Sequence, residues 1–170
     1  DALHFCEGQV AIELNAHQQN PLAFPEEDCM LPVANFDMQP IATALDFIRI
    51  ALAPCLTSQC ERSMKLLQAR ETGLSDGLEP VGDAMGHGLS EISWSLQGMT
   101  AEAKLLIQPV SAEIGSSTQA EGIEDRMTMA GLSARRVIDM IELGNRIVSI
   151  STTIAAQGIS LRGVERLGPR

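Results

Sequence analysis

Apolar residues recur every three or four positions along nearly the whole chain, and they nowhere alternate over the four or more residues that a strand requires. This pattern predicts an all-α fold. A first helix is expected at the start, where Leu3, Cys6, Val10 and Leu14 lie at helical spacing. Because the sequence opens on Asp1 with that pattern already running, a preceding segment is expected. Pro21, Pro25, Pro32 and Pro40 then forbid a regular helix, so a long loop is expected over about 17–39. Loops of that length in compact domains are more often functional than decorative.

From Ile41 the helical spacing returns through Leu45, Ile48 and Leu52, and continues through Leu56, Cys60, Met64 and Leu67. Pro54 removes one backbone donor in the middle, which predicts a kink near 51–54. Gly73, Gly77, Pro80 and Gly82 mark a second break, about 70–83. The next helix is expected to carry a bundle seam of Met85, Leu89, Ile92, Leu96, Met99, Ala103 and Leu106. Gly86, Gly88, Ser93, Ser95 and Gly98, set among them, let a neighbouring helix come close. After a third loop, about 111–122, the last helix is expected to run from beyond Gly122 to about Gln157, with Gly158 as its stop.

That last helix has one narrow polar stripe, formed by Arg135, Asp139, Glu142, Arg146, Ser149 and Thr153. The rest of its girth, including Val137, Ile138, Ile141, Ile147, Val148, Ile150 and Ile154, must be covered by other helices. Helices of about 25 to 35 residues span roughly 40 to 50 Å, too long for a lone globule of this size to bury well. The chain is therefore expected to supply helices to a bundle shared with further polypeptide.

Composition narrows the function. The 170 residues suit one domain. A hydrophobic share of 45% is ordinary for a soluble protein, and no apolar run is expected to approach the roughly 18 residues needed to span a bilayer, so no membrane partner is expected. A formal charge of −10 with scattered basic residues argues against nucleic acid. Cys6, Cys29, Cys55 and Cys60 lack the spacing of a zinc or redox site, and are read as reduced, mostly buried thiols of a cytoplasmic protein. Aromatic residues are only 3%, with no Tyr, which leaves few anchors for a self-sufficient pocket. His4 with Glu7, and Glu13 with His17, have helical spacing but are read as surface pairs, so no metal is expected.

Two places carry candidate chemistry. Glu124, beside Asp125, is expected where a loop enters the last helix, a position whose free amides attract negative charge. It serves there either as a cap or as a carboxylate presented to a substrate cavity. In "ANFDMQP", Asn35 and Phe36 sit on an irregular, proline-bounded loop, with Phe36 either a core plug or a wall of the site.

At these residues the chain resembles the aromatic amino acid ammonia-lyase family. "IELNAHQQNPLAF" is similar to the family's E-x-N-A-x-x-D-N-P-L, with Gln19 in place of Asp. "ANFDMQP" resembles G-N-F-H-x-x-P, with Asp37 in place of His, and "TSQCERSMKLL" resembles S-x-S-E-R-R. "GIEDRMTMAGLSARR" resembles N-Q-E-D-H-V-S-M-G-x-x-A-R, and "AAQGISLRG" resembles A-A-Q-x-x-D-x-R. The five segments occur in the family's order and cover nearly the whole chain.

The resemblance implies a long-helix bundle of the aspartase/fumarase-like type, assembled as a homotetramer whose sites draw on several subunits. It implies elimination of ammonia from an aromatic amino acid by way of a methylidene-imidazolone (MIO) electrophile cyclised from Ala-Ser-Gly. Phe36 and Asn35 would lie beside the substrate, and Glu124 would face its side chain as substrate-binding and catalytic carboxylate. An acid at Glu124 is similar to the enzymes acting on histidine, whereas phenylalanine enzymes usually have Gln there; Gly122 and Ile123 replace the usual Asn and Gln. The chain contains no Ala-Ser-Gly, so it would act only with an N-terminal part that carries the electrophile. An aminomutase of the same family, and a non-catalytic helical scaffold derived from it, are the alternatives.

Overall fold

The structure, a computed structural model, describes residues 1–80, 82, 86–113, 127–164 and 168. It divides into two compact units, one of residues 1–51 with 107–138 and the other of 52–106 with 139–170. Two long helices belong partly to each: α2, Gln39–Leu66, and α5, Ala130–Leu161.

The first unit opens with helix α1, Ala2–Asn15, whose N-terminus is capped by Asp1 as its side chain accepts from the His4 amide at 3.0 Å. Of the four apolar residues expected to form its inner face, only Cys6 is buried, and burial raises the pKa of its thiol. Leu3 and Leu14 are 70% and 79% exposed, since none of the described residues covers that side of the helix. The loop that follows is more ordered than its prolines imply. Strands β1, Leu22–Phe24, and β2, Cys29–Leu31, pair antiparallel with Ala23 opposite Met30. A 3-10 turn, Pro25–Glu27, joins them, and Asp28 closes it in the left-handed region at φ +47°.

Helix α2 continues through Pro54. Its buried seam is Ala42, Asp46, Arg49, Ala53, Leu56, Cys60 and Ser63, followed by Leu67 just beyond its end. The sequence reading followed apolarity instead, and in the first half placed the seam on Ile41, Leu45, Ile48 and Leu52. Those residues are half-buried, because an oppositely charged pair, Asp46 and Arg49, occupies the inner positions. By length and composition this helix is apolar enough to cross a membrane, with a mean hydropathy of 1.4 over its best 18 residues. That corrects the expectation of no such run. A core helix of a folded protein has the same signature.

In the second unit, the Ser63 and Ser151 hydroxyls meet at 2.8 Å between α2 and α5. Gly144 lies on α5 facing Leu56 of α2, where an added Cβ would stand 3.4 Å from the leucine side chain, in ordinary contact. The α5 seam continues as Met140, Leu143, Ile147, Ser151 and Ile154, all buried. Its expected polar stripe is exposed, but so are Ile138, Ile141 and Val148. The helix also passes Gly158, the expected stop, which is buried against Leu78. Gln157 holds this end by donating to the Leu78 carbonyl at 3.2 Å.

The region about 70–83 contains a short helix α3, Ala69–Thr72, and a 3-10 turn at Asp76–Leu78. Helix α4 spans Ile92–Leu105, so the start expected at Met85 is not found: Met85 lies outside the described residues and Leu89 sits in a turn. Two glycines explain the delay. Gly77 (φ +63°) and Gly88 (φ +55°) pack backbone to backbone, with the Leu89 amide donating to the Gly77 carbonyl at 2.7 Å. A Cβ on Gly77 would overlap the His87 carbonyl and the Ser90 hydroxyl. The seam of α4 is accordingly Ser93, Leu96, Thr100 and Ala103, leaving Ile92 and Met99 half-buried and Trp94 75% exposed.

This contact makes a test. Gly77→Ala combines a left-handed φ with a steric overlap and is expected to cost about 2–3 kcal/mol. Gly73→Ala, at φ +67° with no neighbour within 4 Å among the described residues, is expected to cost only about 1 kcal/mol. Urea unfolding of both variants in the full-length protein checks this, and equal losses would show that the close approach is not formed.

Candidate active site

The Asn35–Phe36 turn is built by local hydrogen bonds. Asn20 accepts from the Val33 amide at 3.1 Å, and Asn35 donates to the His17 carbonyl at 3.2 Å, so the two ends of the long loop are drawn together. The Asp37 amide closes the turn on the Ala34 carbonyl at 3.1 Å. Its carboxylate then accepts from the Gln39 amide at 2.9 Å and starts α2, with Pro40 in the first turn, where no backbone donor is needed. The departure from His at Asp37 thus has a local structural use.

Asn35 is exposed and lines an open cavity of about 640 Å³ against α1, together with Gln9, Glu13, Asp37 and Gln39. Phe36, adjacent on the turn, is half-buried and is not part of that lining. A second, smaller cavity of about 390 Å³ lies between Phe5, Phe47, Ile50 and Pro109. There the Phe5 and Phe47 rings meet edge to face at 5.8 Å.

Glu124 and Asp125 lie outside the described residues. Helix α5 begins at Ala130, later than the start expected just beyond Gly122, and has no acidic residue in its first turn. Met127 and Thr128 are non-helical and separate the two. The His4–Glu7 pair is 3.9 Å apart with both side chains largely exposed, a solvated contact. Among the described residues no three His, Cys, Asp or Glu side chains gather as a metal site, and none of the four cysteines forms a disulfide. Of the thiols expected to be mostly buried, Cys6 and Cys60 are buried, Cys29 is half-buried and Cys55 is exposed.

The most constrained polar cluster in the first unit was missed by sequence reasoning. Asp46 and Arg49, 2% and 0% exposed, are paired one helical turn apart. Asp46 Oδ2 accepts from the Val110 and Ser111 amides, each at 2.8 Å, and Oδ1 accepts from the Ser133 hydroxyl at 2.6 Å. Arg49 also donates to the Gln108 carbonyl at 3.2 Å. Burial pushes the Asp46 carboxyl up, but the hydrogen bonds from Ser133, Ser111 and Arg49 outweigh it and hold the group below the usual carboxylate range. Gln39 joins the cluster by donating to the Ser111 carbonyl at 2.7 Å. The available signal was opposite charges at i and i+3 inside "ALDFIRIA", an otherwise apolar run.

The described residues are mostly helical, with α2 and α5 running 28 and 32 residues, the all-α class to which the aromatic amino acid lyases and aminomutases belong. The chain belongs to the aromatic amino acid lyase family, which it matches over residues 1–170. It is similar to the histidine ammonia-lyase of Symbiobacterium thermophilum, at 32% identity over 157 residues, covering 92% of this chain and 30% of the relative. The corresponding enzyme of Alkaliphilus oremlandii is 30% identical over 159 residues, covering 94% and 31%. Among solved structures, an ergothionase from Treponema denticola superposes with a TM-score of 0.90 at 26% identity, covering 99% of this chain and 33% of that one. A tyrosine aminomutase from Streptomyces globisporus gives 0.86 at 28%, covering 96% and 31%. The chain spans about a third of the length of these relatives.

Proposed function

We propose that this chain is part of an ammonia-lyase that eliminates ammonia from an aromatic amino acid, with histidine favoured. It would act together with an N-terminal part of the same enzyme. The observation that carries the reading is the Asn35–Phe36 turn, held by its own hydrogen bonds at the rim of a cavity of about 640 Å³, within a chain matched end to end by the family. The family's methylidene-imidazolone would supply an electrophilic carbon. No Ala-Ser-Gly from which to form it occurs in these 170 residues, so no residue here is its source.

What this chain contributes is a wall and a charge. Asn35 would orient substrate through its amide, and Phe36 would pack against the ring and exclude water. Glu124 would accept a hydrogen bond from an imidazole N–H or hold the proton in transfer. A homotetramer is part of the same reading, supported by the bare apolar residues Leu3, Ile12, Leu14, Trp94, Leu105 and Ile138, each at least 56% exposed in the single chain.

Intact mass and denaturing electrophoresis of native material should show this sequence within, or accompanied by, polypeptide bearing the electrophile. Adding histidine, phenylalanine, tyrosine or ergothioneine, the last because of the ergothionase likeness, should raise the absorbance of an unsaturated product with one of them. A β-amino acid in place of that product would establish the aminomutase, the reading favoured by the tyrosine aminomutase likeness. No turnover of any of these would leave the non-catalytic scaffold.

A further inference from the structure

Gln39 joins two stretches far apart in sequence. It lies just after the Phe36 turn at the start of α2, and its side-chain amide donates to the Ser111 carbonyl at 2.7 Å. The Ser111 amide is occupied in turn, donating to Asp46 at 2.8 Å, as does the Val110 amide. Asp46 is fixed by Arg49 on its own helix and by the Ser133 hydroxyl of α5 at 2.6 Å. A continuous line of hydrogen bonds therefore runs from the buried face of α2 and α5, through the backbone amide and carbonyl of Ser111, to the root of the Asn35–Phe36 turn.

Stability alone does not explain a glutamine here. Its Oε1 is buried with no hydrogen-bond partner among the described residues, and an unmatched acceptor opposes folding, which offsets much of what the bond to Ser111 contributes. Nor does the start of α2 need it, since Asp37 accepts from the Gln39 backbone amide whatever the side chain is.

We propose that Gln39 and Asp46 are positioning residues that set the Asn35–Phe36 turn relative to the substrate, with Ser111 as the link between them. This rests on the reading that the turn faces substrate. Displacements near 1 Å at such a wall are enough to cost a large factor in rate. Gln39 borders the cavity, but the role proposed for it and for Asp46 is exerted through the turn and not on the reacting atoms.

The test is Gln39→Met in the full-length enzyme, a change of similar length that deletes the donor and the unmatched acceptor together. Expected are an unaltered melting temperature and electrophile content, a fall in kcat/KM of about tenfold, and faster amide exchange in peptides covering 107–113. Electrophile content is read from intact mass, because cyclisation expels water. A fall in kcat/KM that merely tracks electrophile content or melting temperature would overturn the proposal, as would unchanged exchange over 107–113. Turnover left unaltered by the substitution sinks the positioning role alone, whereas no turnover in the unsubstituted enzyme sinks the functional reading on which it rests.

Discussion

Glu124→Gln in the full-length enzyme is expected to lower histidine turnover roughly 100- to 1,000-fold, the range that a positioned acid or base contributes. The melting temperature should stay within about 2 °C if the carboxylate serves the reaction and not the fold. The separation of the two readouts matters because a carboxylate near a helix start is ordinarily a cap, and loss of a cap costs about 1 kcal/mol. Helix α5 itself begins at Ala130, beyond non-helical Met127 and Thr128, and has no acid in its first turn. Gln keeps the shape and an acceptor oxygen but cannot hold the negative charge, so the lost rate measures the charge. Since phenylalanine enzymes of the family usually carry Gln at this point, the ratio of histidine to phenylalanine turnover should fall as well. Product absorbance at saturating amino acid, alongside thermal melting by circular dichroism, checks both. Parallel loss of rate and stability would return Glu124 to a structural role.

The periodicity of the chain was enough to establish long helices and their partial nakedness. Apolar spacing alone marks α2 and α5, and the surplus of apolar residues around α5 is visible as exposed Ile138, Ile141 and Val148. What periodicity could not supply was which of two neighbouring stripes faces inward. On α2 the apolar stripe through Ile41, Leu45 and Ile48 is the more hydrophobic, yet the stripe through Asp46 and Arg49 is the buried one, because the two charges neutralise each other and find amide and hydroxyl partners. Those partners come from residues 110, 111 and 133, far away in sequence, and no local pattern announces them. The late start of α4 has the same origin: the glycines at 77 and 88 read as punctuation or as helix packing, but their use is a backbone contact between two turns. The Asn35–Phe36 turn was legible as a proline-bounded loop, whereas the small sheet inside it rests on pairings only three residues long.

The same buried pair predicts the largest effect on stability. Arg49→Met is expected to destabilise the full-length protein by about 3–5 kcal/mol, because it leaves Asp46 as an uncompensated charge at a site only 2% exposed. Asp46→Leu with Arg49→Met should cost clearly less than the sum of the two single changes, since removing both charges removes the penalty each inflicts on the other; what remains is the loss of an acceptor for the Val110 and Ser111 amides. Acid tests the pair from another side. The folded-state pKa of Asp46 lies below its ordinary value, burial being outweighed by hydrogen bonds from Ser133, Ser111 and Arg49. Its contribution to stability is therefore fully present above the unfolded carboxylate pKa, about 3.9, and is lost as the pH falls through the lower folded-state value. Asp46→Asn cannot titrate, so the difference in unfolding free energy between the wild type and this variant should be constant near neutrality and shrink below about pH 4. Urea unfolding of both across that range reads the difference directly. A gap that stayed constant into strong acid would mean that the Asp46 charge is not what ties residues 110, 111 and 133 to α2, and the hydrogen bonds alone would then have to account for the fold at that point.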